Sequence, residues 1–161
     1  MPALGKAERL YRQRTVSALF ARGRRYRISG GAYMLKVCAL WCDPTGLDER
    51  PTPVKVMFSA PKSSFKHAVD RNRFKRLMRE SFRARKAQWT ALAAAGPAAE
   101  GASVLLVAFI FTKIGKTPDG FVLKQPDMQV YIDRAAEKLA KIAAGERAKP
   151  SAKREVRDAG V

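Results

Sequence analysis

Side chains that enzymes use for acid–base and metal chemistry are scarce in this sequence. Histidine occurs once, at His67, and cysteine occurs twice, at Cys38 and Cys42. A single histidine excludes a nuclease site built on a histidine pair, and the whole set is too small for a zinc site. The acidic residues are scattered and form no tight carboxylate group of the kind that two-metal hydrolysis needs. We therefore expect no hydrolytic site in the protein itself.

Long hydrophobic runs are absent as well. The longest extends from Val104 to Phe111, far below the roughly 20 apolar residues of a membrane-spanning helix. The first residues do not have the pattern of a secretory leader. We expect a cytoplasmic protein with reduced cysteines and without a membrane partner.

Acidic residues are the third scarce class. The chain has 14 of them against 32 lysines and arginines, which gives a net charge of +18 in 161 residues. Such an excess opposes folding through self-repulsion and is typical of proteins that bind a polyanion, because released counterions favour the association. Nucleic acid is the partner that we expect first. An anionic membrane surface is less favoured, because the apolar residues are needed for a core.

The length favours one domain with loose ends. We expect a flexible N-terminus at 1–8 and one folded domain at 9–144. A disordered basic tail is expected at 145–161, where apolar residues are few.

The first half of the domain has the pattern of a helix followed by strands. A short amphipathic helix is expected from Thr15, a possible N-cap, to Gly23, which favours a helix end. Strands are expected at 33–41 and 54–60, and the Pro-, Gly- and Asp-rich segment between them predicts an antiparallel hairpin. The continuous apolar run at 104–111 predicts a central strand that is covered on both sides.

Two longer helices complete the predicted order. One begins at Asp70, a plausible N-cap, and extends to about residue 89 or 95. The other spans about 127–144 and has apolar residues near helical spacing at Val130, Ile132, Ala135, Leu139 and Ile142. This order of elements predicts an α+β sandwich, with helices packed on a sheet of at least three strands.

The helix that begins at Asp70 separates apolar from basic residues. At 100° per residue, one side collects Phe74, Leu77, Met78, Ser81, Phe82 and Ala84. The other side collects Arg71, Asn72, Lys75, Arg76, Arg79, Arg83 and Lys86. Between Arg71 and Lys86 there are eight basic residues and one acid, Glu80. Because a solvated helix face normally alternates charge signs, this face indicates a bound phosphate backbone.

The same residues carry a family resemblance. Residues 68–83 read AVDRNRFKRLMRESFR and closely resemble the signature of the bacterial ribonuclease P protein subunit, in which an R-N-R triplet opens a basic helix. Just upstream, Ser59 and Lys62 match the approach of that family to the helix. The resemblance implies a two-layer α+β sandwich with a small mixed sheet and a left-handed βαβ crossover, like that of the second domain of ribosomal protein S5.

The resemblance also implies a function. It implies a noncatalytic protein subunit of the endoribonuclease that removes 5′ leaders from precursor tRNA, in which a catalytic RNA does the chemistry with Mg²⁺. The implied partners are the ribonuclease P RNA and precursor tRNA, and no DNA is expected. The residues implied to bind the catalytic RNA are Arg71, Asn72, Arg73, Lys75, Arg76, Arg79 and Arg83. Those implied to form a cleft for the single-stranded leader are Phe20, Tyr33, Lys36, Ser59 and Lys62.

The match is partial in the first helix, and other functions stay open. Val16 and Ser17 stand where the family typically has a phenylalanine and a basic residue. A general or ribosome-associated RNA-binding protein would share the charge but need no preference for tRNA that carries a leader. A DNA-binding protein could place the same helix in a major groove, although no helix-turn-helix spacing precedes it.

Overall fold

The computed structural model of the chain describes Gly5 and residues 8–42, 52–96, 104–117 and 119–148. In this part of the chain the elements are, in order, α1 (Gln13–Arg22), β1 (Arg24–Gly30), β2 (Tyr33–Cys42), β3 (Val54–Ser59), α2 (Ala68–Ala84), α3 (Lys86–Ala94), β4 (Val104–Lys113) and α4 (Gln125–Ala148). α4 continues four residues past the end predicted at 144. The flexible N-terminus and disordered tail expected from the sequence lie largely outside the described residues.

The described strands form one mixed sheet in the order β1-β2-β4-β3. β2 pairs antiparallel with both β1 and β4, whereas β3 pairs with β4 in parallel. β4 is central and almost entirely buried. The α+β class, the small mixed sheet and the central position of β4 are therefore confirmed. The connection from β3 through α2 and α3 to β4 is the βαβ crossover, and its left hand stays a prediction.

The predicted hairpin between β2 and β3 is wrong, because β4 lies between these two strands. The other partner of β2 is β1, a strand that sequence reasoning missed. β1 alternates basic with apolar residues, so that Tyr26 and Ile28 are buried while Arg25 and Arg27 are exposed. Gly31, at a φ of +60°, allows the tight turn into β2. Because buried backbone groups need hydrogen-bond partners, β4 requires a neighbour on each edge, and this requirement outweighs proximity in sequence.

The helix ends also differ by a few residues from the predicted ones. The N-cap of α1 is Arg12 rather than Thr15, which is buried, and Gly23 ends α1 as predicted. The N-cap of α2 is His67 rather than Asp70, which lies in the first turn. A negative charge there still favours the helix through the macrodipole. The single long helix of the prediction divides into α2 and α3.

α2, α3 and α4 pack on one face of the sheet and enclose the larger core. Two groups of aromatic rings fill it: Tyr33, Phe65, Phe74 and Phe111, and then Phe82, Trp89 and Phe109. Burying each of these side chains contributes about 1.5–3 kcal/mol. This face therefore supplies most of the stability of the domain.

α1 packs on the opposite face over a smaller apolar cluster. Leu19 is fully buried there against Cys38, whose thiol donates to the Leu19 carbonyl oxygen at 3.4 Å. Phe20 is only partly buried at the margin of the cluster. α1 has 10 residues, and the strand residues Arg27 and Lys36 of this face are exposed. One part of the sheet is thus left open on the α1 side.

Candidate nucleic-acid interface

The apolar side of α2 is held firmly in the larger core. Its buried residues are Phe74, Leu77, Met78, Ser81 and Phe82, as the sequence predicts. The Gln125 side chain donates to the Leu77 carbonyl oxygen at 3.1 Å, and the Gln129 side chain donates to the Ser81 carbonyl oxygen at 3.2 Å. Ala84, predicted on the apolar side, is instead exposed where α2 ends. These contacts fix the direction in which the basic side of the helix faces.

Two of the predicted RNA-binding arginines are bound to the protein itself. The Arg71 guanidinium donates to the carbonyl oxygens of Phe65 and Lys66 at 2.9 and 2.8 Å. The Arg73 guanidinium donates to the Leu123 carbonyl oxygen and lies 5.4 Å from the centroid of the Phe74 ring. The arginines of the R-N-R triplet therefore anchor the segment before α2 and the segment before α4.

The remaining predicted residues of α2 divide in a similar way. Arg83 forms an ion pair with Glu80 at 2.8 Å. Lys75, Arg76 and Arg79 have no acidic partner among the described residues, and they lie on one side of the helix, beside the exposed Asn72. We call these three basic residues the cationic strip. It presents positive charge that the described part of the protein does not neutralise.

A second basic surface crosses the open part of the sheet on the α1 side. Arg27, Lys36, Ile110 and Ser59 are consecutive cross-strand partners on β1, β2, β4 and β3. We call these four residues the sheet row. Arg27 and Lys36 are exposed, and Ile110 and Ser59 are partly buried. This row of basic and apolar side chains lies on the same face of the sheet as the partly buried Phe20. Positive charge together with apolar surface is what a groove for single-stranded nucleic acid requires.

Tyr33 does not belong to this surface, which corrects the prediction. Residues 33 and 36 are three apart in β2, so their side chains point to opposite faces of the sheet. Tyr33 is buried in the larger core with its ring 5.1 Å from that of Phe111. Burial raises the pKa of the Tyr33 hydroxyl, while the charges of Arg73 and Asp70 act in opposite directions.

The other predicted cleft residues lie on or near the open side. Ser59 ends β3, and Lys62 is exposed in the turn that follows. The Phe65 N–H donates to the Pro61 carbonyl oxygen at 3.0 Å and closes this turn, whose far end Arg71 holds. The structure therefore brings Phe20, Lys36 and Ser59 to one face, with Lys62 beyond the end of β3.

Sequence reasoning missed Arg27 and Arg25. Their signal is the alternation in the segment RRYRIS, which places basic residues at every second position of an edge strand. Arg25 donates to the Phe20 carbonyl oxygen at 2.5 Å and so ties the end of α1 to β1. Arg27 extends the positive charge of Lys36 across the sheet.

Among the described residues, no group of three or more histidine, cysteine or carboxylate residues could hold a metal ion. Within the same residues, no helix combines the length and the apolar character needed to cross a membrane.

Comparison with known proteins gives one consistent family. The sequence model of the ribonuclease P family matches residues 4–101. A ribonuclease P protein component from Chlorobaculum tepidum is 36% identical over 110 residues, which cover 68% of this chain and 67% of the relative. Those of Chlorobium phaeobacteroides and Porphyromonas gingivalis are 38% and 34% identical over 88 and 83 residues, which cover 56% and 55% of the relatives. Ribonuclease P is a ribonucleoprotein that processes tRNA, and the members of this family are its protein subunit. The chain therefore belongs to the ribonuclease P family.

Proposed function

We propose that the chain is a noncatalytic subunit that binds a catalytic RNA through α2 and the 5′ leader of precursor tRNA through the open side of the sheet. Its activity is to assist the endonucleolytic removal of that leader. The RNA carries out the cleavage, and the protein neutralises phosphate charge and positions the substrate. We expect this function in the cytoplasm.

The observation that carries the proposal is the cationic strip. Like charges three or four residues apart on a helix destabilise it by about 0.2–0.5 kcal/mol per pair. Lys75, Arg76 and Arg79 stand at these spacings on a helix whose opposite side is fixed in the core. Phosphate oxygens bound along the strip would remove the repulsion, and the planar guanidinium groups can grip them in a bidentate manner.

The sheet row supports the second part of the proposal. Arg27 and Lys36 can pair with the phosphates of a single strand, and Lys62 lies beyond the end of β3. Phe20 and Ile110 offer partly buried apolar surface on which bases can stack. Such contacts tolerate different sequences, as a leader-binding surface must, because every base has a flat face.

Mg²⁺ enters this proposal only as a cofactor of the RNA. The described carboxylates do not form a group that could hold a metal ion, so we derive no step from a metal on the protein. A divalent ion held by the RNA would supply the charge stabilisation that phosphodiester cleavage needs. The protein would lower the Mg²⁺ requirement by screening the repulsion between the two RNAs.

A general RNA-binding protein is the main alternative. It would use the same cationic strip but would not distinguish precursor tRNA from mature tRNA. The open sheet row on the α1 side favours the specific function, because mature tRNA has no 5′ leader to occupy it.

The test is reconstitution with a bacterial ribonuclease P RNA at low Mg²⁺, following 5′-leader removal from a precursor tRNA. We expect the wild-type chain to restore cleavage that neither component performs alone. Arg76→Ala should lose much of this rescue, whereas Lys141→Ala, which removes an exposed charge from α4, should retain it. Tight RNA binding without any rescue would contradict the proposal and support the general RNA-binding alternative.

A further inference from the structure

A pocket of about 380 Å³ opens at the end of the sheet, away from α1. It lies where the β1–β2 turn, the segment before α4 and the first turns of α4 meet. Its apolar lining consists of Tyr33, Phe121, Leu123, Val130 and Tyr131. The volume is within the range of small-molecule sites, which is roughly 300–1,000 Å³.

Two large apolar residues of the lining are exposed to solvent. Phe121 is 44% exposed and Val130 is 54% exposed. The spacing of α4 predicts a core position for Val130, but the side chain faces the pocket instead. Gly120 adopts a φ of +77°, and this left-handed conformation bends the chain immediately before Phe121. An exposed aromatic ring at the mouth of an apolar pocket indicates a ligand with a flat apolar face.

The charges around the pocket favour an anionic ligand. Arg134 lines it, and Lys113, Lys116 and Lys124 are exposed in the neighbouring segment. The opposing charges are Asp127 in the lining, whose carboxylate accepts the Lys124 N–H at 2.8 Å, and Asp119, which is exposed in the neighbouring segment. Arg134 donates to the Ser29 carbonyl oxygen at 3.0 Å, so its guanidinium is held at the rim.

Two contacts connect the lining of the pocket to the start of α2. Arg73 donates to the carbonyl oxygen of Leu123, a residue of the lining. The Tyr33 ring, also in the lining, lies 5.8 Å from that of Phe74. An RNA strand that reached the pocket from the basic side of α2 would pass the exposed Asp70 in the first turn of that helix, beside the basic residues Arg71 and Arg73.

From this juxtaposition we infer that the pocket binds one unpaired nucleotide of RNA. The base stacks on Phe121 inside the apolar lining, and the phosphate pairs with Arg134 at the rim. A second copy of the chain is a poorer occupant, because each copy carries a net charge of +18. This inference rests on the proposed RNA-binding function and adds a nucleotide site to it.

The test compares the affinities of matched variants of the full chain for ribonuclease P RNA. Phe121→Ala should weaken binding by about tenfold, or ~1.4 kcal/mol, which lies within the range measured for base–aromatic stacking. The dependence on salt should not change, because no phosphate contact is lost. Phe121→Trp should retain the affinity. Val122→Ala, at an exposed neighbour outside the pocket lining, should bind like the wild type.

Arg134 provides an independent measurement. Arg134→Gln should reduce the slope of log affinity against log salt by about 0.7 to 0.9, the effect of one phosphate contact. Lys141→Gln removes a charge from the same helix away from the pocket and should leave the slope unchanged.

Two binding experiments, one with the catalytic RNA alone and one with precursor tRNA and the assembled complex, identify the RNA that supplies the nucleotide. A Phe121→Ala defect with the catalytic RNA alone supports a nucleotide of that RNA. A defect that appears only when precursor tRNA binds the assembled complex supports a nucleotide of the substrate. If neither experiment shows a defect while Arg76→Ala still weakens binding, the pocket inference is wrong and the proposed function survives. An equal defect in Val122→Ala, or a change in self-association alone, would also overturn the inference.

Discussion

The two faces of the sheet differ in how completely the helices cover them. On one face, α2, α3 and α4 enclose two groups of aromatic rings, and Phe109, in the second group, is fully buried. On the other, α1 covers a small cluster and leaves Lys36 and Arg27 exposed. Under the proposed function, the same four strands serve stability on one side and binding on the other. The role of a charged residue in this sheet therefore depends on the face to which the backbone directs its side chain.

The largest expected effect is on the enclosed face. Phe109→Ala should lower the free energy of unfolding by about 3–5 kcal/mol, because it leaves a cavity beside Phe82 and Trp89. Phe20→Ala, on the margin of the open face, should cost less than half as much because the ring is already partly exposed. Urea denaturation followed by circular dichroism measures both. Equal losses would contradict the difference between the faces.

The next effect separates anchored from open arginines on α2. Arg76→Ala should weaken binding to the catalytic RNA, reduce its salt slope by about one and leave stability within roughly 0.5 kcal/mol of the wild type. Arg71→Ala should also lower stability, by about 1–2 kcal/mol, because two carbonyl oxygens lose a charged donor. Filter binding across salt concentrations and thermal melting report the two quantities. An Arg71→Ala variant with unchanged stability would show that the anchor is unimportant.

A smaller effect is expected for the sheet row. The Arg27→Ala, Lys36→Ala double variant should reduce the affinity of the assembled complex for precursor tRNA and leave that for mature tRNA unchanged. The salt slope for precursor tRNA should fall by about 1.4, because each contact to a single strand contributes about 0.7. Lys141→Ala, which removes an exposed charge from α4 on the opposite face, is the control and should not alter the ratio of the two affinities. A parallel loss for mature tRNA would contradict the assignment.

The smallest effect concerns residues 8–10, which precede α1 and contact β3. Glu8 forms an ion pair with Lys86 at 2.5 Å, next to Leu10, whose N–H donates to the Val56 carbonyl oxygen. Burial by itself raises the pKa of Glu8, but the hydrogen bonds from Lys86 and Gly5 and the charge of Lys86 outweigh it and lower the pKa below 4.5.

A carboxylate with a lowered pKa contributes stability above its unfolded pKa and loses it as the pH falls through the folded value. The free energy of unfolding of the wild type should therefore exceed that of Glu8→Gln by at most about 1 kcal/mol at pH 7. The difference should disappear well below pH 4.5. Urea midpoints at the two pH values measure it, and a difference that grows in acid would contradict the sign.

The sequence was sufficient to predict the apolar and basic sides of α2, the central position of β4 and the family. The segregation of apolar and basic residues in α2 depends only on helical periodicity, and the apolar run of β4 has no other stable place than the centre of a sheet. The R-N-R signature added what periodicity lacks, namely the family, and with it the RNA-binding role that we propose for the basic side.

Sequence reasoning could not supply the order of the strands or the partners of the arginines. β2 pairs with β4 across more than 60 residues of chain, and no local pattern in the sequence records that pairing. The carbonyl partner of Arg73 at Leu123 depends on the same long-range packing. The position of Tyr33 was predictable, because strand alternation alone separates it from Lys36.

The proposed function requires the leader of precursor tRNA to occupy the open side of the sheet. The most direct measurement is photo-crosslinking of a precursor tRNA that carries 4-thiouridine in its leader to the assembled complex, followed by peptide mapping. We expect crosslinks in α1, β1 and β2, in peptides that contain Phe20, Arg27 or Lys36. Crosslinks confined to α3 and α4, on the enclosed face, would contradict it.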